Sequence, residues 1–196
     1  MKGPRKQFDK VHILRTLFIL EQENEIGRKE LVKKLGIGEG SVRGVLDYLS
    51  EKDYVTSAVA KGHQLTTKGK EVIKKIHALV AGPQIVDAKE LTVGEKNVAV
   101  LVRDAANHVS LGIHERDAAI KIGSLGATVL IVKNNQLLFP GESEVTVGNE
   151  ELHRLFSLRN GDVILIGTDT RYDRAENAAV AGLLTLIGEK INRLLP

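Results

Sequence analysis

The chain has 196 residues, of which 42% are hydrophobic and 27% charged, and its net charge is +3; this length and composition fit a soluble protein with one large domain or two small ones. No run approaches the roughly 18 apolar residues of a membrane span, and no apolar signal core follows the basic N-terminus MKGPRKQFDK, which predicts a cytoplasmic protein. Because cysteine is absent, disulfides, thiolate catalysis and cysteine-based zinc sites are excluded.

Charge is distributed unevenly along the chain. Residues 1–80 hold 16 Lys and Arg against 10 Asp and Glu, whereas residues 81–196 hold 12 against 15. A basic first half predicts a polyanionic partner, and an acidic second half predicts a different one. We therefore expect two domains, residues 1–82 and residues 83–196, with the boundary at the helix-ending Gly82-Pro83.

Four helices and a β-hairpin are predicted in the first domain. A helix begins at Asp9, which is a suitable N-cap, and a second helix spans Arg28 to Leu35. A third follows from Ser41 to Leu49. Residues 53–67 predict a short β-hairpin, and a fourth helix is predicted from Lys68 to Leu79.

The third helix carries the DNA-binding hypothesis. Its apolar residues recur at the spacing of one buried helix face: Val42, Val45, Leu46 and Leu49. Ser41 is the predicted N-cap, and the glycines of the preceding turn suit a tight connection between helices. The opposite face is predicted to be exposed, where it would meet a base-pair edge and its flanking phosphate: Ser41, Arg43, Gly44 and Asp47.

This order of elements resembles the winged helix-turn-helix family of transcription regulators over about residues 8–80. The resemblance rests on the helix–helix–helix–hairpin–helix order, on Gly36 in the turn, and on LSEKDYVT followed by a hairpin and LTTKGKE. It implies binding of double-stranded DNA, usually by a homodimer. The side chains expected at DNA are Arg28, Lys33, Lys34, Ser41, Arg43, Gly44, Lys61 and His63. Winged helices also serve as protein–protein modules, so an adaptor is the alternative.

The second domain is predicted to contain five strands and three helices. Strands are predicted at 84–92, 97–103, 127–133, 136–139 and 162–167, and helices at 113–122, 149–158 and 173–195. From residue 97 the order is β-α-β-β-α-β plus a C-terminal helix. An α/β sandwich of ferredoxin-like arrangement matches this order, within a chain that is α+β overall; a doubly wound sheet is the alternative. The last helix is apolar on most sides, which indicates a homodimer.

The two-domain layout is similar to that of one-component regulators, including the Lrp/AsnC family. In that family the second domain dimerises and senses a small molecule. The chain also resembles an uncharacterised archaeal family that joins a winged helix to a domain of unknown function. The similarity to one-component regulators implies a regulator whose second domain binds a ligand, dimerises, or does both.

Two polar clusters are candidates for binding a small polar or anionic effector. One follows a buried strand and precedes the last helix, where α/β domains bind anions: Thr168, Asp169, Thr170 and Arg171. A capping box formed by Asp173 and Glu176 is the alternative interpretation there. The other cluster joins the polar loop after a strand to the start of the next helix: Arg103, Asp104, Asn107, His108, His114, Glu115, Arg116 and Asp117. Ordinary first-turn acids at Glu115 and Asp117 and a surface charge at Arg116 are the alternative.

Enzyme motifs are missing from the sequence. It contains no G-x-x-x-x-G-K-[ST], no H-E-x-x-H and no G-x-S-x-G. We therefore expect no catalytic residues, no cofactor, no metal site and no membrane partner. A small enzyme in the second domain remains the third hypothesis, after the regulator and the adaptor.

Overall fold

The computed structural model describes residues 8–58, 62–141, 143–145 and 150–195. The chain is α+β, as predicted, and forms two compact units that divide between Lys75 and Ile76. In the described part of the chain, no helix combines the length and apolarity needed to cross a bilayer.

The first unit contains the predicted order of elements. Its elements are α1 (Lys10–Glu23), α2 (Arg28–Leu35), α3 (Glu39–Glu51), the hairpin strands β1 (Val55–Ala58) and β2 (Gly62–Leu65), and α4 (Thr67–His77), whose last two residues lie past the division. The N-cap predicted at Asp9 is confirmed, because its Oδ1 accepts hydrogen bonds from the amides of Val11 at 3.0 Å and His12 at 3.3 Å.

A buried arginine connects two helices of this unit. Arg15 of α1 is 0% exposed, and its guanidinium donates to the backbone oxygens of Lys34 at 2.8 Å and Leu35 at 3.2 Å. The last carbonyls of a helix lack partners within the helix. Arg15 therefore supplies donors to the C-terminal end of α2 and attaches α1 to it.

Helix α3 begins two residues before the predicted start. Its N-cap is Gly38, in extended conformation and without a side-chain cap, and Glu39 opens the first turn. The prediction of Ser41 as an exposed N-cap is wrong, because this residue lies inside the first turn and is only 8% exposed. A negative Glu39 near the positive end of the helix dipole favours the earlier start. The predicted apolar face of α3 is buried.

The second unit is built on one antiparallel sheet. Its elements are β3 (Val80–Ile85), β4 (Lys96–Val102), a 3₁₀ turn (Ala106–His108), α5 (Ile113–Lys121), β5 (Gly126–Lys133), β6 (Gln136–Phe139), β7 (Ser143–Glu144), α6 (Glu150–Leu155), β8 (Val163–Asp169) and α7 (Tyr172–Leu194). The strand order is β3-β4-β8-β5-β6-β7. Every pairing is antiparallel, which excludes the doubly wound alternative.

The spatial order differs from the ferredoxin-like arrangement. The split β-α-β unit is present, because one strand lies between β4 and β5. That strand is β8, whereas in a ferredoxin-like sheet it would be the hairpin strand β6. The tight turn at Asn134 (φ 52°) and Asn135 (φ 62°) folds β6 onto the outer side of β5, which leaves the inner side to β8.

The predicted domain boundary lies within a strand. Gly82 and Pro83, joined by a cis peptide bond, belong to β3, and α4 already ends at His77. The strand predicted over residues 84–92 is therefore displaced, and most of that segment is a loop. Its apolar residues are nevertheless buried in the core on one face of the sheet, together with α6: Val86, Ala88 and Leu91.

Helices α5 and α7 cover the other face of the sheet. Gly167 of β8 permits this packing, because a Cβ there would lie 2.0 Å from the carbonyl oxygen of Ala175 and 2.4 Å from the amide nitrogen of Ala179. The small residues of α7 are buried against the sheet and α5: Ala178, Ala179, Val180, Ala181 and Gly182. Much of the apolar surface of this helix is thus buried inside the unit, whereas Leu184, Leu186 and Leu194 are half-buried.

Candidate functional site

The N-termini of α2 and α3 meet at one edge of the first unit. Arg28 and Glu39 are the first residues of these helices, and their side chains form an ion pair of 3.0 Å between Nη2 and Oε1. Both N-caps are glycines, Gly27 and Gly38, with no side-chain cap. The first-turn N–H groups of each helix, with its positive dipole end, suit an anion, and the carboxylates of Glu30 and Glu39 lie in these same first turns.

The hairpin is attached to the same edge. Ile26 and His63 exchange backbone hydrogen bonds of 3.0 and 2.9 Å, and the His63 ring lies 2.8 Å from the Ser57 hydroxyl. Burial, and then the charge of Arg28, lower the pKa of His63 below its ordinary value of 6.5. Two predicted DNA contacts, Arg28 and His63, are thus neighbours. Lys61 lies outside the described residues.

Predicted phosphate contacts on α2 form ion pairs with acidic neighbours. Lys33 lies 3.8 Å from Glu30, and Lys34 lies 2.8 Å from Glu23 of α1. Exposed pairs of this kind contribute roughly 0–1 kcal/mol. Exchanging a carboxylate for a DNA phosphate therefore has a small energetic cost.

The outer face of α3 has fewer groups that suit DNA than expected. Arg43 is exposed and is the one cation in this helix. Gly44, which was predicted to be exposed and to face DNA, is half-buried, and a Cβ there would lie 2.6 Å from the ring of Phe8, which packs on this flank. The same helix exposes three carboxylates: Glu39, Asp47 and Glu51.

The predicted ligand-binding residues of the second unit do not form one site. Asp169 pairs with Lys96 at one end of the β4–β8 ladder, and Val163 pairs with Val102 at the other. Thr168 and Asp169 lie at the first end, with Thr170 and Arg171 directly after it, whereas Arg103 and Asn107 follow the second end. The two predicted clusters are separated by the length of the strands.

The last two residues of β8 use their polar groups to hold neighbouring loops. The Thr168 hydroxyl accepts from the amide of Gly94 at 2.8 Å. The Asp169 carboxylate accepts from the amides of Thr170 at 2.7 Å and Leu125 at 3.1 Å. Both residues are 2% exposed, so they have a structural role here.

Arg171 precedes the last helix and is also paired. Its guanidinium donates to both carboxylate oxygens of Asp173, at 2.9 and 2.7 Å. The predicted capping box is wrong, because α7 begins at Tyr172 and its N-cap is Arg171. Asp173 lies in the first turn, where a carboxylate is favoured by the helix dipole.

Arg103 connects the end of β4 to the loop before β8 at the opposite end of the sheet. It donates to the Asp162 carboxylate and, at 2.8 Å, to the carbonyl oxygen of Ser157. Asp162 is 1% exposed and also accepts from the amide of Arg159 at 2.9 Å. Asn107 is exposed in the 3₁₀ turn. These contacts fasten the loop before β8 to the end of β4.

A groove in the second unit was not predicted. It has a volume of about 540 Å³ and is lined by the 91–93 loop, the start of α5 and the first half of β5. Its lining is mainly apolar, and Thr168 is the one predicted ligand-binding residue that contributes to it. Within the described residues, no cluster of three or more His, Cys, Asp or Glu side chains is placed to bind a metal ion.

Comparisons with known proteins identify similar chains and name no activity. Residues 11–71 match the family model described as PH0730-like, N-terminal domain, and residues 93–186 match a domain of unknown function, DUF4443. The chain is similar to the solved structure of hypothetical protein PH0730 from Pyrococcus horikoshii OT3, with 28% identity and a TM-score of 0.80 over 96% of this chain and 98% of that one. No curated protein matches. These findings support the resemblance to an uncharacterised archaeal-type family.

Proposed function

We propose that the chain is a transcriptional regulator that binds double-stranded DNA through its first unit. The observation that carries the proposal is the contact of Arg28 with Glu39, which joins the first residues of two glycine-capped helices beside His63 of the hairpin. Free N–H groups, dipole ends and a guanidinium together suit a backbone phosphate. The basic excess of residues 1–80 supports the same partner.

The side chains divide between two roles in this proposal. Arg28, Lys33 and Lys34 contact phosphates by exchanging their carboxylate partners for the DNA backbone. Arg43, exposed on α3, reaches a base edge in the major groove. Ser41 is too buried to take part. The second unit then serves dimerisation or effector sensing.

Fluorescence anisotropy on genomic DNA fragments at two salt concentrations tests this proposal. We expect Arg43→Ala to weaken binding of the preferred fragment by about 1–3 kcal/mol, and Lys33→Ala to lower the salt slope by about 1. Lys74→Ala removes an equal charge from the exposed side of α4 and is the matched control. Equal affinities of Arg43→Ala and wild type for the preferred fragment would contradict the assignment of α3.

A protein–protein adaptor is the second candidate. It is favoured by the three exposed carboxylates of α3, which repel phosphates and suit a basic protein surface. An adaptor would show weak DNA binding with no preferred fragment at either salt concentration. A preferred fragment whose affinity depends on Arg43 would exclude it.

A further inference from the structure

Half of strand β5 has an unpaired side. β6 pairs only with residues 131–133, and among the described residues no strand pairs with that side of Gly126–Leu130. We call this segment the open edge. Continuing the register would place Pro140 opposite Val129, and a proline has no N–H to donate. The β6 pairing therefore ends before the open edge.

The backbone groups of the open edge point in a known direction. Val132 donates to the oxygen of Asp162 and accepts from the amide of Gly161, both at 2.9 Å, on the side of β8. Alternate residues of a strand bond to opposite sides. Ala127 and Val129 therefore direct their N–H and C=O groups away from β8, toward the open edge.

Exposed apolar side chains flank these backbone groups. Seven large hydrophobic side chains are exposed in the described part of the chain, and five of them line the groove beside the open edge: Val93 (84%), Leu111 (61%), Leu125 (51%), Ile120 (50%) and Ile113 (47%). Together they present on the order of 500 Å² of apolar surface, which is a patch of the size that marks an interaction site.

The outer strands of the sheet, β3 and β7, have features that discourage pairing with a strand of another chain. β3 contains Pro83 and an irregular register, and β7 has only two residues. Proline, bulges and short strands discourage association between sheet edges. The open edge contains no proline, charge or register shift. It is thus the part of the sheet that is suited to receive another strand.

We propose that the open edge is the interface with a second copy of this chain, in which β5 pairs antiparallel with the partner's β5 about a two-fold axis near Thr128. The segment is self-complementary, because Gly126, Ala127 and Thr128 are small enough for two copies to approach. The two copies would then form one continuous sheet. The inference concerns the second unit alone and holds whether or not the first unit binds DNA.

Area and charge both favour a second copy. About 800 Å² per partner is buried in a standard stable interface, and the apolar patch alone supplies on the order of 500 Å². Among the described residues that line the groove, Arg116 is the one ionisable side chain, so pairing desolvates few charges. Val93 is 84% exposed and itself lines the groove, so two copies related by a two-fold axis would present the same apolar patch to each other.

Sedimentation of the full chain across a concentration series tests the interface. We expect wild type to reach twice the 21.4 kDa of one chain. Val93→Glu places a charge on an 84% exposed position, so it leaves the fold intact while weakening association at least tenfold. Ile85→Glu is the matched control, because Ile85 is 59% exposed and does not line the groove.

Three sedimentation outcomes would overturn the proposal. Wild type that stays monomeric up to submillimolar concentration would show that the open edge does not bind a second copy. It would leave a peptide of another protein as the occupant. Equal effects of Val93→Glu and Ile85→Glu would indicate a general solubility effect. A dimer unaffected by Val93→Glu would place the interface elsewhere.

A cysteine variant tests the strand pairing directly. The chain has no cysteine, so Thr128→Cys introduces a single thiol. Opposite residues of a non-hydrogen-bonded antiparallel pair have Cα atoms about 4.5 Å apart, which a disulfide spans. We expect mild oxidation to give a covalent dimer for Thr128→Cys and not for Ile85→Cys. Equal cross-linking of the two variants, or none in a dimer that Val93→Glu dissociates, would overturn the pairing through β5.

Discussion

Arg15 is the largest of the fully buried side chains among the described residues, and its two donated hydrogen bonds end on backbone oxygens of α2. Arg15→Met keeps the apolar stem but removes both donors. We expect a loss of about 3 kcal/mol in the free energy of unfolding, because buried carbonyls lose charge-assisted partners. Urea denaturation measures this change. Arg43→Met, on the exposed face of α3, should stay within about 0.5 kcal/mol of wild type; equal losses in the two variants would contradict the proposed role of Arg15.

The pKa of His63 depends on Arg28 in a way that titration can measure. Burial is the larger cause of its depression and the charge of Arg28 the second. Arg28→Ala should therefore raise the pKa of His63 without restoring it to 6.5, whereas Arg28→Lys should leave it close to the wild-type value. NMR titration of the imidazole resonances provides the measurement. A pKa that does not move in Arg28→Ala would show that the two side chains do not interact.

The same depression gives a sign for the pH dependence of stability. Because the folded pKa of His63 lies below the unfolded value near 6.5, the unfolded state binds more protons as the pH falls through this range. His63 therefore destabilises the first unit in acid and has no such effect above neutral pH. His63→Gln should flatten this part of the stability profile, measured by urea denaturation between pH 5 and 8. An unchanged profile would contradict the depressed pKa.

At the scale of elements, local patterns determined most helices and turns. The spacing of apolar residues located α2, and Asn134-Asn135 located the β5–β6 turn, because both depend on neighbours in sequence. The strand predicted over 84–92 failed for a different reason. Val86, Ala88 and Leu91 have the apolar character of a strand, yet they enter the core as a loop. The insertion of β8 beside β4 involves residues far apart in sequence, which periodicity does not encode.

Packing of α7 on β8 requires a glycine, which gives a prediction at the same scale. Gly167→Ala would place a methyl group within 2.0 Å of the backbone of α7, so the helix must move. We expect a destabilisation of about 3 kcal/mol in chemical denaturation. Gly188 lies in α7 itself, and a Cβ there would have no atom within 4 Å. Gly188→Ala should therefore be neutral or stabilising by up to about 1 kcal/mol. Equal effects of the two variants would show that α7 tolerates displacement.

At the scale of the whole molecule, the uneven distribution of charge was predicted from the sequence, but the ion pairs that these charges form were not. The basic excess of residues 1–80 follows directly from the residue counts. The ion pair of Lys34 with Glu23 depends instead on how α1 and α2 pack. The apolar groove is assembled from five separate parts of the chain, which are residues 91–93, 111–120, 125–129, 139–140 and 168. None of them is unusual alone. The sequence indicated a dimer through α7, whereas residues 177–183 of that helix are buried in its own unit and most of the exposed large apolar side chains line the groove beside β5.

The two proposals together predict how DNA binding depends on the open edge. If two copies joined through β5 each contact one half-site, wild type should bind a two-fold symmetric fragment with a salt slope twice that of one first unit. Val93→Glu should halve this slope and lower the affinity for the fragment, because each copy then binds alone. Ile85→Glu should change neither quantity. Anisotropy titrations at several salt concentrations measure both. The contrary outcome is a Val93→Glu chain that sediments as a monomer and keeps the salt slope of wild type. That result would show that DNA is bound by one copy at a time, and the open edge would then have no part in DNA binding.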